Sequence, residues 1–436
     1  MPRATPAEIA RATIDRRTGI VRALLAAPCA ADDPAIAHVE ARIGDFGCLP
    51  AGGTIAETGG SGARPGAAWA CALFETLERY AGAIVDRRRL VLTRPTPGGP
   101  FVHGDRFPLF ADFQYARPGW PFRPLTERSE IWWAEGRSLA TGEPRFVPAT
   151  FVYVPYRATC EDELLGPGTS TGMASGPSWA AACASGLLEV CERDAFMITW
   201  LNRLSRPRLR VAPASRLGRE VTRALGRRRG RVTFVDLTND LRVPTVLAVM
   251  ETALHGRPVR TLGAAARATY EAAAGKALLE ACSDLERLQL VLEGPQRDWR
   301  PTPDFGNVND FGAHSQVYLD PQHQPVLDFL TASADECDLG GERLPGDPEA
   351  LLRALVERVV GCGLDAIAVT LTTRDLEELG IEVVKVIVPG AVPLPPDHRW
   401  QWLGHRRVYE VPRRIGARDR DATPDDLLLD YPHPFA

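Results

Sequence analysis

The chain lacks most of the patterns by which a protein's chemistry is ordinarily read. Its nine cysteines include no Cys-x-x-Cys pair and are accompanied by only eight histidines, so neither a zinc knuckle nor a redox dithiol is signalled. No Gly-x-x-x-x-Gly-Lys-Ser/Thr occurs, and GGSGARPG fails the Gly-x-Gly-x-x-Gly spacing, which removes both common phosphate loops. The histidines are dispersed and none pairs with a Ser or Asp in a recognisable hydrolase motif; His314, in FGAHSQVY, reads as a structural histidine more than a base. A formal net charge of −4 without a long Lys/Arg run leaves no electrostatic footprint for nucleic acid or anionic lipid. No stretch approaches the ~18 apolar residues of a membrane span, and MPRATPAEIARATIDRR has no signal-peptide core. A soluble, cytosolic protein is expected.

What is present is ordinary globular composition, 45% hydrophobic and 24% charged over 436 residues, enough for one large domain or two. Thr18 to Ala26 (TGIVRALLA) predicts an extended segment, and AIAHVEARIGDFG a short amphipathic piece. The glycine-rich AGGTIAETGGSGARPG leads into a predicted helix from Ala67 to Ala83. Between Leu90 and Pro155, prolines and aromatics predict strands and turns. A second helix is predicted from Trp179 to Trp200, a third over the Ala-rich stretch from Ala266 to Glu293, and a fourth in DPEALLRALVERVVGCG. VTFVDLTNDLRVPTVLAV and IAVTLTTRDLEELGIEVVKVIV share a plan of strand, Thr/Asp-rich turn, Asp-Leu and strand, which suggests internal duplication. The proline-rich end, TPDDLLLDYPHPFA, is not expected to be helical. Helices alternating with apolar strands predict an α+β or α/β fold, mixed sheets covered by helices. Cys71, Cys183, Cys191 and Cys282 fall in the predicted helices and read as small buried hydrophobes.

The most informative feature is a pentad, Glu-x-x-Glu-Arg, that occurs twice: Glu75, Glu78 and Arg79 in LFETLERY, and Glu189, Glu192 and Arg193 in LLEVCERD. Residues three apart share a helix face, so each copy presents two carboxylates side by side with a guanidinium next to them. Either pair alone is most simply a solvated helix face. Both, however, are flanked by apolar residues such as Leu73, Leu77, Leu187 and Leu188, which predicts burial, and buried carboxylates need a partner. Clustered carboxylates offer hard oxygen ligands that favour Mg2+ or Ca2+. Glu280, in KALLEACSD, sits one turn after Lys276 and is a third acidic position, or an ordinary i,i+4 pair.

The order of these segments resembles the YcaO superfamily. The motifs are LFETLERY, the Trp-x-x-Gly strand of IWWAEG, Ser-x-Gly-x-Ala-x-Gly from Ser170 to Gly176, Glu-x-x-Glu-Arg-Asp-Ala-Phe, the Ala-rich helix with a central Glu, VVKVIVPG, RRVYEVP and the terminal PHPFA. The resemblance runs from about Thr18 to the last residue, with residues 1–50 as an N-terminal strand and helix segment of the same domain and residues 51–436 as the ATP-binding catalytic region. It implies an enzyme that uses ATP and Mg2+ to phosphorylate a backbone amide oxygen of a ribosomally made precursor peptide, so that a Cys, Ser or Thr side chain cyclises to thiazoline or oxazoline. Related members make thioamides or amidines. By the same resemblance Glu75, Glu78, Glu189, Glu192 and Glu280 are metal ligands, Arg193, Lys276 and Ser61 nucleotide-site positions, and the Ala436 carboxylate a proton acceptor at the end of a tail that reaches the chemistry. Ser61 stands where the pattern has Lys, Lys276 where many members have Arg, Thr171 and Pro177 where Asn is common, and Ser283 and Leu285 where Gln and Arg are frequent. Those departures keep open a degenerate scaffold that binds without turnover. A separate leader-binding partner, E1-like or ThiF-like, a flavin dehydrogenase in the same pathway and a homodimer are also expected.

Overall fold

The computed structural model describes residues 4–27, 36–44, 57–62, 64–107 and 109–435. Three sheets are present among them. A small sheet joins β1 (Val21–Ala26), β2 (Ala37–Ile43) and β3 (Glu57–Gly62). A six-stranded sheet runs β4 (Leu90–Thr93), β5 (Ile131–Ser138), β13 (Ile367–Thr370), β14 (Glu382–Ile387) and β7 (Met173–Gly176), with β6 (Pro144–Pro148) paired to β5. A five-stranded sheet runs β11 (Arg257–Ala266), β10 (Thr245–Leu254), β9 (Arg231–Asp236), β8 (Arg208–Arg210) and β12 (Glu336–Asp338). Their strands pair antiparallel except β12 with β8, which makes the architecture α+β. The helices are α1 (Pro6–Thr13), α2 (Pro65–Ala83), α3 (Asp112–Tyr115), α4 (Trp179–Leu201), α5 (Arg216–Leu225), α6 (Tyr270–Glu293), α7 (Phe311–Gln316), α8 (Pro348–Gly361), α9 (Arg374–Glu378) and α10 (Arg406–Arg414). None among the described residues is long and apolar enough to cross a membrane.

Helix α4 connects the two large sheets. It starts at Ser178, whose hydroxyl accepts from the Ala181 N–H at 3.3 Å, and packs on β14 and β7 of one sheet and on β11 and β10 of the other. Its small residues Ala182, Cys183 and Gly186 let the backbone approach β14 closely, while Phe196, Met197 and Trp200 fill the central core behind them. Burying each of those three large side chains contributes roughly 1.5–3 kcal/mol. Strand β10 is covered on both faces: Val246, Ala248 and Met250 pack beneath α6, whereas Leu247 and Val249 enter the central core. Its hairpin to β11 turns on His255 and Gly256, both at positive φ (48° and 78°), the backbone that matches the twist of a two-residue turn.

A buried polar group anchors the helix core. Asp194 on α4 is fully buried and accepts from Arg407 Nε (2.9 Å) and Nη2 (2.6 Å), Asn239 Nδ2 (2.7 Å) and the Val392 N–H (3.0 Å). Arg407 reaches on to Asp240 at 2.6 Å, so one guanidinium ties α10 to α4 and to the β9–β10 connection.

The structure refines several of the sequence expectations. The glycine-rich stretch before α2 contains strand β3, and the amphipathic piece AIAHVEARIGDFG contains strand β2; a Cβ on Gly60 would stand 2.2 Å from the Ala72 nitrogen, so only glycine lets β3 lie against α2. The third helix begins at Tyr270, not at Ala266, and the residues before it close strand β11 with the small Gly263 and Ala265. They are small because α6 lies on them: a Cβ on Gly263 would meet the Ala277 carbonyl at 2.2 Å. Cys71 is exposed on α2, whereas Cys183, Cys191 and Cys282 are buried, with thiols pushed up first by burial. The two strand-turn-strand segments form adjacent antiparallel pairs, β9–β10 and β13–β14, in different sheets.

Candidate functional site

The outer edges of two sheets, β7 and β11, present N–H groups that no strand takes up, and carboxylates from the helices answer them. Glu78 on α2 accepts from the Ser175 N–H and hydroxyl, both at 2.8 Å. Glu189 on α4 accepts from the Gly172 N–H, just before β7, at 3.0 Å. Glu192, one turn on, accepts from the Ala266 N–H at the end of β11, at 3.1 Å. The repeated pentads therefore occupy the seam where the two sheets approach α4, and three of their four glutamates, Glu78, Glu189 and Glu192, are oriented by a backbone donor.

Cations alternate with these carboxylates. Arg79 lies 3.3 Å from Glu75, Arg193 lies 3.4 Å from Glu192 and 3.8 Å from Glu189, and Lys276 lies 3.3 Å from Glu280. Burial raises the Glu78 carboxyl to about 7, against the pull of Arg79 and Ser175. Burial likewise raises Glu192, with Arg193 opposing and Glu280 and Glu189 adding to the rise. Glu75 is raised by burial, tempered by Arg79 and Lys276 and reinforced by Glu189 and Glu280; its side chain remains 37% exposed, so water blunts the effect. Burial works against the Arg193 charge, but Glu192, Glu189 and Glu280 together raise its pKa. These mutual influences bring Glu75, Glu189, Glu192 and Glu280 into one electrostatic group built from α2, α4 and α6.

The donor set suits a hard divalent cation, because it is all oxygen and because two buried carboxylates stay reluctant to ionise until a positive charge joins them. Among the described residues no three acidic, histidine or cysteine side chains close into a finished cage; each carboxylate leans on its own basic or backbone partner instead.

Ser61, at the end of β3, accepts or donates to His38 Nδ1 at 2.8 Å and meets Ser283 of α6 at 2.5 Å. His38 carries no pattern of its own in the sequence, and only strand pairing brings it there. Lys385 was also passed over, although a lysine alone in the apolar run VVKVIV is a visible signal: it is 2% exposed, and burial lowers its pKa to about 7, with Glu189 opposing and Arg79 assisting. Residues 168–172 spell Gly-x-Ser-x-Gly. They form a loop ahead of β7 instead of a strand-to-helix elbow, and no histidine bonds Ser170 among the described residues.

The chain's end folds back to the same place. Pro432 accepts from the Tyr318 hydroxyl, the His433 ring stacks on His314 at 3.8 Å, and His433 Nε2 lies 2.8 Å from the Pro395 carbonyl. Phe435 is buried against Phe196 with ring centroids 4.2 Å apart, and the Arg193 guanidinium lies over its ring at 5.9 Å. Ala436, expected to carry a carboxylate to the chemistry, lies outside the described residues.

A family model described as YcaO cyclodehydratase, ATP- and Mg2+-binding, matches residues 59–392. A heterocyclase solved in complex with substrate and cofactor superposes with a TM-score of 0.80 at 21% identity, over 99% of this chain and 57% of that one. YcaO from Methanopyrus kandleri, solved with AMPPCP and Mg2+ bound, superposes with a TM-score of 0.62 at 25% identity, over 88% of each chain. An uncharacterized protein in the tfuA 3' region of Rhizobium leguminosarum bv. trifolii is 27% identical over 297 residues, 64% of this chain and 65% of that one. The chain thus spans little more than half the length of the heterocyclase and just under two thirds of the Rhizobium protein. With the family model matching well over half of its residues, the protein belongs to the YcaO family.

Proposed function

We propose that the protein is an ATP- and Mg2+-dependent cyclodehydratase subunit acting on the backbone of a ribosomally made peptide. The observation that carries this reading is the gathering of Glu75, Glu189, Glu192 and Glu280, with Glu78 beside them, at the seam between two sheet edges. Phosphoryl transfer needs charge neutralisation and positioning more than covalent help. Bound Mg2+ would supply charge neutralisation on the phosphates, and Glu75, Glu78, Glu189, Glu192 and Glu280 are the residues that would hold it. Arg193 carries its charge among them and would contact a phosphate oxygen, with Phe435 and Glu192 fixing its direction. Lys276 adds a point charge at the far side of Glu280, and the Ser61–His38 pair offers a hydroxyl where the family pattern has an ammonium.

In this reading the peptide's Cys, Ser or Thr side chain attacks the preceding carbonyl carbon, and the carbonyl oxygen takes the γ-phosphoryl group of ATP. Loss of that oxygen as phosphate leaves the azoline ring, and ATP becomes ADP. The proton of the attacking side chain and that of the amide nitrogen leave to solvent as the ring closes. A leader-binding partner would deliver the peptide, a flavin dehydrogenase would oxidise the azoline, and the subunit would pair with a second copy.

A second reading is thioamide formation with external sulfide, another activity that the family resemblance implies. Mass spectrometry of a peptide encoded beside the gene, incubated with the protein, ATP and Mg2+, separates the two. Loss of one water per ring supports the cyclodehydratase, exchange of oxygen for sulfur supports the thioamide route, and an unmodified peptide with no ATP consumed, in the presence of the leader-binding protein, refutes both.

A further inference from the structure

Behind the acidic seam lies a pocket whose polar groups the fold leaves unanswered. It opens where residues 167–171 meet the end of β14 and the turn after it, holds about 570 Å³ with its open mouth included, and has mostly apolar walls such as Phe107, Phe151, Val386 and Val388. Three buried polar side chains interrupt that lining. Lys385 has three N–H donors, and its one hydrogen bond among the described residues goes to the Thr169 carbonyl at 2.5 Å. The Trp402 indole N–H, on a side chain 1% exposed, donates to nothing among the described residues. His405 places Nδ1 3.2 Å from the Gly390 carbonyl, which makes Nδ1 the protonated nitrogen and leaves Nε2 a bare acceptor, and that acceptor is also without a partner. Native folds seldom leave such groups unmatched, and a ligand that satisfies them gains what the fold forgoes.

Two side chains with unanswered donors and one with an unanswered acceptor, within apolar walls, are the complement of a peptide unit beside an apolar side chain. A simple anion would meet the Lys385 ammonium but also the lone pair of His405 and the apolar wall. The pocket also adjoins the proposed chemistry: Thr171 lines it and is followed by Gly172, which donates to Glu189, and Val190 lines it one residue after Glu189.

We propose that this pocket is a subsite for a large apolar residue of the peptide, whose carbonyl accepts from Lys385 and Trp402 while its N–H donates to His405 Nε2. The inference rests on the peptide-modifying reading above and names the residue class that flanks the modified position. Saturation-transfer NMR on the full chain tests it with N-acetyl-phenylalanine methylamide and N-acetyl-glycine methylamide as probes. The phenylalanine probe should bind with a Kd of about 1 mM or tighter, and the glycine probe about tenfold more weakly or not at all. Ala391→Leu fills the pocket without touching its polar groups, and Lys385→Met removes the ammonium at similar length; each should weaken the phenylalanine probe about tenfold or more. Thermal melting selects the folded variant, and either one suffices. No transfer to folded wild type with the phenylalanine probe at about 10 mM overturns the proposal. Undiminished binding by a folded variant overturns it too, as does displacement of the probe by adenosine, which would assign the pocket to a nucleotide. Mg2+-ATP titration of the same samples separates the two ideas: ATP binding without probe binding removes only the subsite, whereas probe binding without ATP binding removes only the nucleotide reading.

Discussion

Glu192→Gln keeps the shape of a side chain that is 5% exposed and removes its charge from the centre of the acidic group. The carboxyl is raised to about 7 in the fold against an unfolded value of 4.5, so at pH 7 its charge opposes folding by roughly 3 kcal/mol. Glutamine relieves that opposition and keeps an oxygen for the Ala266 N–H at 3.1 Å, while Arg193 loses the closer of its two carboxylates and retains Glu189 at 3.8 Å. The two effects oppose each other, and the melting temperature should shift by less than about 4 °C. Mg2+-ATP binding should fall much further. Removing one partner of a buried charge contact costs about 2–5 kcal/mol, which is on the order of 100-fold in Kd. Calorimetric titration of Mg2+-ATP into both proteins reads this directly. Equal affinities within about threefold, in a folded mutant, would refute the assignment of the cation to Glu192.

Mg2+-ATP affinity should also fall as pH drops from 8 to 6, because Glu78 and Glu192 must lose protons to bind a cation, and the binding heat should vary with the ionisation heat of the buffer. The same groups set a stability trend: between pH 4.5 and 7 the folded state holds more protons than the unfolded one, so the stability of the ligand-free protein declines as pH rises through that window, and urea titrations at several pH values would expose the opposite slope if it existed. Arg407→Leu strands the fully buried Asp194 without its cation and should destabilise the protein by about 3–5 kcal/mol; an unchanged urea midpoint would contradict the structural role. Gly263→Ala puts a methyl group 2.2 Å from the Ala277 carbonyl and 2.5 Å from the Ala281 nitrogen, so α6 must move off β11 and carry Glu280 with it. A loss of about 1–3 kcal/mol is expected together with weaker Mg2+-ATP binding, and retained affinity would show that α6 does not position the site.

Local information was enough for the parts of this protein that repeat along the chain. The pentads declared themselves because a helix places residues three apart on one face; the burial their apolar neighbours suggest holds for Glu192, whereas Glu75 and Glu189 stay partly exposed, and α2 and α4 begin and end within two residues of where the pattern puts them. Ordered motifs identified the family for the same reason, since each is a short run whose spacing survives without its neighbours. Strands β3 and β11 were not legible, because Gly60 and Gly263 are small to admit a helix packed from elsewhere in the chain, and small residues carry no apolar alternation by which a strand is read. The pairing of His38 with Ser61, the placement of Phe435 under Arg193, and the burial that sets Lys385 apart from an ordinary surface lysine depend on segments 23 to 242 residues apart. Hydrogen bonds to sheet edges and low-dielectric burial act only between groups already brought together, so the tertiary structure alone decided which carboxylates are strained, which cations answer them, and where a ligand would find partners left free.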